Sequence, residues 1–230
     1  MKAETFKLLE PIVSGINNIF FIDLITDMTG GVYRLDSCNT LWASPGYYVE
    51  IDAIKYKIID IVVNESITIK GDTLPTATNF DMYLPFFVHG TILATNEELK
   101  AKQISKNKFP MIYLHEITRE RHYTEESTLD RESDCDIYFL VDADFESWLT
   151  NDHYRYAIAP MRNLLFAFVD SLSSNLGLIA NFESFETFDH AKFGVYMSSQ
   201  GHTKNIFDDR LSGTNLKITI PFLKNSQCDC

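Results

Sequence analysis

Several features of secreted, membrane-spanning or nucleic-acid-binding proteins are missing from this sequence. Its 4 cysteines are too few for a disulfide scaffold, so we expect free thiols. No stretch approaches the ~20 apolar residues of a membrane-spanning helix. We expect no signal peptide at residues 1–6, because charged residues and a proline soon interrupt the apolar ones, and we expect synthesis in a cytosol. Basic residues do not cluster, and 32 acidic against 20 basic side chains oppose phosphate binding.

Glycine is also scarce, and motifs for catalysis are missing with it. The 10 glycines form no phosphate-binding loop, and the 6 histidines show no metal-ligand spacing. Asp142, Asp144 and Glu146 form the sharpest acidic cluster. Such a cluster is typical of a helix start, where negative charge is favoured, although two nearby carboxylates can also hold a divalent metal. We therefore predict no catalytic, cofactor or metal site, and keep a metal-assisted hydrolase on this cluster as the alternative.

What the sequence does contain is ample material for a folded core. It is 45% hydrophobic, with 17 Phe and 11 Tyr among β-branched stretches that favour strands. We predict an α+β fold, in which a β-rich sandwich or partial barrel precedes an α+β module with a sheet covered by one main helix. The predicted regions are a β-rich module (1–93), a helix and linker (94–108), an α+β module (109–224) and a tail (225–230).

The first module shows strand patterns separated by turn residues. Residues 66–70 (SITIK) alternate polar and apolar side chains, as a half-buried strand does, and Gly30 and Gly31 mark a tight turn. The other predicted strands are 19–25, 32–35, 47–51 and 54–63.

Residues 74–93 allow two interpretations. They can form a buried or edge strand containing Pro85, or an exposed apolar arm that packs on another subunit. Tyr83, Phe86 and Phe87 are its candidate inter-subunit contacts. Next, Thr95 with Glu98 three residues later predicts a helix start.

The second module alternates strands with one long helix. Apolar residues recur every three or four positions from Ile158 to Leu172, which predicts a helix packed on the sheet, capped at 151 or 152 and kinked at Pro160. Pro221 indicates that the last strand ends there or lies at a sheet edge. The predicted strands are 111–114, 135–141, 182–188, 192–197 and 216–222.

Residues 116–134 form a charged segment, which is predicted to be a long loop. Loops of that length in compact domains usually carry function or are disordered. The segment can be simply solvated, and the alternative interpretation is a clamp between subunits. Arg119, Arg121, Glu125 and Glu126 are its candidate inter-subunit contacts.

The second module resembles a protein family of tailed phages and prophages of Bacteroidetes, including crAss-like phages. The resemblance covers roughly residues 109–223 and rests on the order of short motifs rather than on any one of them. These include residues 109–116 (FPMIYLHE), 137–145 (IYFLVDADF), 148–154 (WLTNDHY), 192–196 (KFGVY), 201–207 (GHTKNIF) and 211–216 (LSGTNL).

The resemblance implies a head-to-tail connector or tail-completion protein with a tail-terminator-like module. The expected partners are further copies in a homo-oligomeric ring, neighbouring portal, connector or tail proteins, and genome DNA that passes through the lumen without sequence-specific binding. We expect no membrane partner, and a location in the virion after assembly in the host cytoplasm. A transient assembly chaperone or adaptor is a further alternative.

Overall fold

The α+β class predicted from the sequence is confirmed, with a β-rich region followed by an α+β module. The computed structural model describes residues 4–102, 108–116, 119–197, 199 and 202–224; the predicted tail at 225–230 lies outside them. The first strands are β1 (Ile19–Phe21), β2 (Leu24–Asp27), β3 (Val32–Asp36), β4 (Tyr48–Ile51), β5 (Ile54–Val62), β6 (Ser66–Lys70) and β7 (Asn79–Asp81). The later strands are β8 (Phe86–Gly90), β9 (Met111–His115), β10 (Arg119–His122), β11 (Leu129–Asp142), β12 (Phe185–Phe193), β13 (Val195–Met197), β14 (Thr203–Asn205) and β15 (Leu211–Leu223). The helices are α1 (Thr5–Ser14), α2 (Ile92–Ala101), α3 (Thr150–His153) and α4 (Ala159–Ser174), with a π-helical turn, Tyr154–Ile158, between the last two.

The smaller sheet has five antiparallel strands in the order β2-β3-β6-β5-β4. Gly30 and Gly31 make its first hairpin turn with φ of +66° and +74°, as the turn prediction requires. In β5, Tyr56 and Ile58 are buried, and a bulge then shifts the alternation so that Ile61 is the next buried residue. The predicted strand 19–25 is divided, because β1 leaves this sheet and pairs with β7.

The first element among the described residues is a helix, α1, which the sequence prediction missed. Leu8, Leu9, Ile12 and Val13 are buried on one side of it. The Ser171 hydroxyl of α4 donates to the Ile12 carbonyl at 3.0 Å. The polar and proline residues that argued against a signal peptide also hid the helical spacing of these apolar residues.

The larger sheet has six strands in the order β12-β15-β11-β9-β8, and β10 pairs with β11 beyond the end of β9. Only β8 and β9 are parallel; the other pairs are antiparallel. The sequence boundary at residue 93 does not follow sheet membership. Although β8 precedes that boundary, it lies beside β9 with Phe86 opposite Met111.

Helix α4 covers one face of the larger sheet as predicted, and Phe168 packs on Phe139 of β11 with ring centroids 5.6 Å apart. The predicted change near Pro160 is present as the π-helical turn before α4. The predicted cap is wrong by a few residues: α3 is capped at Leu149, whose N–H donates to Asp152 Oδ2 at 2.9 Å. No described helix is long and apolar enough to cross a membrane.

Helix α2 also begins earlier than predicted. Its cap is Thr91, whose hydroxyl accepts from Ala94 N–H at 3.2 Å. Thr95, the predicted cap, is fully buried within the helix. The apolar first turn, residues 92–94, concealed the true start because it resembles the end of the preceding strand.

The C-terminal strands differ from prediction in their limits. Strand β12 continues through 189–190, which lie between two separately predicted strands, and ends before Gly194, whose φ of +77° starts the β13 hairpin. Strand β15 is interior for most of its length and passes Pro221 to end at Leu223. Proline is tolerated there because β12 does not reach this level and the Pro221 carbonyl accepts from Ala180 N–H at 2.9 Å.

Polar contacts join the two sheets at the π-helical turn. Pro160 has no N–H to serve the carbonyl four residues earlier, that of Tyr156. The Ser44 hydroxyl donates to this carbonyl instead. Nearby, Arg155 Nε donates to Ile61 O at 2.9 Å, and Asn163 Nδ2 donates to Leu41 O at 2.8 Å. The backbone change at Pro160 thereby provides an acceptor that fixes the loop between β3 and β4 of the smaller sheet to the π-helical turn.

Candidate functional site

A cavity of about 570 Å³ lies where the two sheets meet. One wall comes from β4, β5 and the residues before them. The other comes from the end of β11, the loop that follows it and Arg210. The side chains that give it chemical character are Tyr47, Tyr48, Lys55, Tyr83, Asp142, Asp144, Trp148 and Arg210.

The acidic cluster singled out in the sequence borders this cavity, but its carboxylates have separate partners. Asp144 accepts from Ser147 Oγ at 2.6 Å and from Glu146 N–H at 2.9 Å, and these hydrogen bonds lower its pKa. Glu146 instead pairs with Arg210 at 2.6 Å. Asp144 therefore caps the turn after β11, and the helix start predicted at this cluster is wrong, because α3 begins only at Thr150.

Asp142 is the member of the cluster with the most unusual electrostatics. Desolvation raises its pKa and the negative charge of Asp209 adds to this, whereas Lys108 and Arg210 oppose it. The Tyr47 hydroxyl is buried without a hydrogen-bond partner among the described residues. Its burial, followed by the Asp142 charge, raises the Tyr47 pKa. This wall can thus offer hydrogen bonds and aromatic surface to a bound group.

The structure also tests whether the cavity can hold a metal ion. Within the described ranges, no group of three or more His, Cys, Asp or Glu side chains is placed to ligate one. Of the three carboxylates named for a metal-assisted hydrolase, Asp142 and Asp144 each accept from a neighbouring backbone N–H, and Glu146 pairs with an arginine.

A second polar group, which sequence reasoning missed, lies on the face of the larger sheet opposite α4. Asp136 accepts from Tyr138 Oη at 3.0 Å and from Asn215 Nδ2 at 2.6 Å. Asn215 Oδ1 lies 3.3 Å from His190 Nε2. These residues are spread over three strands, so only the strand register brings them together. Their mutual hydrogen bonding is typical of a network that stabilises the sheet.

His153 is the most deeply buried of the described histidines. Ser212 Oγ donates to Ala191 O, so it accepts from His153 Nδ1 at 2.9 Å. His153 Nε2 has no hydrogen-bond partner among the described residues. The rings of Phe145 and Trp148 lie 5.7 and 5.5 Å away. Desolvation, and then the charge of Lys192, lowers the His153 pKa and favours the neutral ring.

The charged segment 116–134 is mostly a β-hairpin rather than a long loop, and that prediction is wrong. Strand β10 pairs with the first part of β11, which begins at Leu129. Arg119 lies 3.4 Å from Asp134, and Arg121 lies 3.1 Å from Glu132. Charged cross-strand pairs therefore take the place that apolar pairs hold in most strands, which is why the pattern resembled a loop.

The remaining predicted contact residues lie in different surroundings. Glu125 and Glu126 are exposed at the turn of this hairpin, and Tyr83 is exposed at the cavity. Phe87 stacks on Phe6 of α1 with centroids 5.0 Å apart, and Lys102 lies over the Phe86 ring. Phe86 and Phe87 therefore lie in a strand that packs within the fold, β8, and not in an exposed arm.

Comparison with protein-family models, curated proteins and solved structures gave no match for this chain.

Proposed function

We propose that this protein is a structural subunit that assembles with copies of itself into a ring in the neck or tail connector of a tailed phage. Such a ring would contact neighbouring portal, connector or tail proteins and would enclose the passage of the genome. The order of motifs in the second module supports this proposal. So does the helix-backed sheet that a tail-terminator-like module requires.

The observation that carries the proposal is the asymmetry of the larger sheet. One face is covered by α1 and α4, whereas the other is packed by α2 beside β8 and bears paired charges only at the exposed hairpin of β10 and β11. A closed ring needs two different surfaces on each copy, since each subunit contacts its neighbours through unlike sides. An asymmetric sheet offers two such surfaces.

The net charge of −12 fits a ring that DNA passes through. Acidic side chains at the lumen repel phosphates and let the genome slide without adhering. A basic lumen in the assembled ring would contradict this part of the proposal.

Native mass spectrometry and negative-stain imaging of the purified full chain test the proposal. We expect closed rings of one copy number, whose abundance rises with protein concentration. A chain that stays monomeric at every concentration contradicts a self-assembling ring. Mass spectrometry of purified particles then separates a virion component, present at ring stoichiometry, from a transient chaperone, which would be missing.

A further inference from the structure

The cavity between the two sheets has walls that backbone hydrogen bonds hold in place. On the side of the smaller sheet, Gly46 N–H donates to Ile58 O and Ile58 N–H donates to Tyr47 O, both at 2.8 Å. On the opposite side, Ala143 N–H donates to Arg210 O at 2.8 Å and ties the loop after β11 to the residue before β15. Both walls are therefore shaped before a ligand arrives, which lowers the entropic cost of binding.

Aromatic side chains form much of the lining of this cavity. The Trp148 ring is itself held by Tyr156, with ring centroids 5.6 Å apart. The face of an aromatic ring attracts cations, and its carbon atoms cover apolar groups. Such a lining favours a ligand that joins a positive charge to an apolar stem. The aromatic residues of the lining are Tyr47, Tyr48, Tyr83, Phe109 and Trp148.

Asp142 contributes a negative charge to this lining without a cation paired to it. The two cations that act on it each pair with another carboxylate, Arg210 with Glu146 at 2.6 Å and Lys108 with Asp209 at 3.1 Å. Within the described part of the chain, no ion pair joins Asp142 to a basic side chain. Desolvation raises the Asp142 pKa, so a cation bound beside it would stabilise its charged form.

The charges of the lining leave a negative excess. Its cations are Lys55 and Arg210, and its carboxylates are Asp142 and Asp144. Because Glu146 neutralises Arg210, Lys55 remains as a single cation against two carboxylates among the described lining residues. An anion would be repelled by these carboxylates, and a neutral ligand would leave Asp142 without a counter-charge. The lining therefore favours a cation over either of them.

We propose that this cavity binds an organic cation with N–H groups, an ammonium or guanidinium group on an apolar stem. The N–H groups would donate to the Asp142 carboxylate, whose one hydrogen bond from the described residues comes from Ala143 N–H at 3.1 Å. The stem would pack among the aromatic side chains. A planar guanidinium also stacks on aromatic rings, so an arginine side chain or a free alkylguanidinium fits this lining best. The inference is independent of the proposed ring.

Calorimetric titration of the full chain with Nα-acetyl-arginine amide tests the proposal, because the guanidinium is the one charged group of this probe. We expect saturable binding at roughly millimolar concentration, as suits a ligand of this size. Nα-acetyl-citrulline amide is the matched control, since it keeps the shape and loses the charge. It should bind about tenfold more weakly or worse.

A third probe, butylguanidinium, distinguishes the two sources of such a cation. Tighter binding of the arginine amide would identify a protein side chain as the ligand, because the probe adds a peptide backbone. Tighter binding of butylguanidinium would identify a free small molecule. Either result supports a guanidinium site.

Variants of the full chain locate the binding site. Asp142→Asn should weaken binding of the arginine probe about tenfold, and Trp148→Leu about threefold, because each removes one attraction for the cation. The control Asp72→Asn makes the same charge change on an exposed residue after β6 and should bind like the unaltered chain.

Three outcomes overturn the proposal: no saturable binding, equal binding of the citrulline probe, or unchanged affinity in both cavity variants. Circular dichroism shows whether each variant folds. If Asp142→Asn does not fold, the probe comparison on the unaltered chain and Trp148→Leu decide the question. None of these outcomes bears on ring formation.

Discussion

The two sheets of this protein are built from different kinds of contact. The smaller sheet joins strands that mostly follow one another in hairpins, and the rows facing its core are largely apolar. The larger sheet places Ile137 opposite Leu216, far along the chain, and buries Ser133, Ser212 and Thr214 among its apolar residues. Distant pairing requires a long loop to close before contacts form. Buried hydroxyls must also find partners, so they favour one strand register over others.

The largest expected losses in the free energy of unfolding come from substitutions in the two cores. Phe139→Ala removes a ring packed between the larger sheet and α4, and should lower the free energy of unfolding by about 3–5 kcal/mol. Ile67→Ala in the smaller sheet should lower it by about 2–5 kcal/mol, since this side chain is also fully buried. Urea denaturation followed by fluorescence and circular dichroism measures both. If the junction contacts join the sheets into one cooperative unit, each variant shows a single transition; two separated transitions would show that the sheets unfold independently.

The next effect tests the junction itself. Ser44→Ala leaves the Tyr156 carbonyl without its donor, and should lower the free energy of unfolding by about 1–3 kcal/mol. The control is Ser14→Ala, which removes an exposed hydroxyl bonded to Glu10 O and should have a much smaller effect. Equal effects of the two substitutions would contradict a structural role for Ser44 at the junction.

A pH prediction addresses the polar interior of the larger module. The His153 pKa is lowered from 6.5 by desolvation and by Lys192, with smaller opposing contributions from Asp152 and Asp144. The unfolded chain therefore binds the proton first as pH falls, so stability present above about pH 6.5 is lost below it. In denaturation series from pH 7 to pH 5, His153→Asn should lose less stability than the unaltered protein. Equal losses would assign the pH dependence to other groups.

The smallest expected effect concerns the hairpin of the larger sheet. Arg119→Ala should change the free energy of unfolding of the dissociated chain by no more than about 0.5 kcal/mol, because its pair with Asp134 is exposed. Thermal unfolding under dissociating conditions measures this. A large loss would mean that the arginine stabilises the fold, and would weaken its assignment to contacts between copies.

The sequence predicted the smaller sheet better than the larger one, because the smaller sheet is built mainly from contacts between neighbouring segments of the chain. Alternation in 66–70 and the glycine pair at 30–31 are local signals, and the structure has both features. In β10, by contrast, the charged residues that suggested a loop are satisfied by carboxylates on β11. The spacing of buried residues from 158 to 172 gave α4 correctly, because an amphipathic helix is also a local pattern.

In the candidate site, too, some features are visible in the sequence and others require the fold. Asp142 and Asp144 stand out in the sequence, but neither the cavity beside them nor the wall that Tyr47 supplies is visible without the fold. The network around Asp136 is likewise brought together by strand register alone.

By itself the sequence determined the α+β class, the helix that covers the larger sheet and most strands of the smaller one, because these follow from periodic burial of neighbouring residues. Only the tertiary structure decided that β8 crosses into the larger sheet, that α1 packs on α4, and that the charged segment is a hairpin at an open sheet edge. Those features depend on partners far away in the chain, and no local pattern of side chains encodes which distant strand or helix a segment will meet.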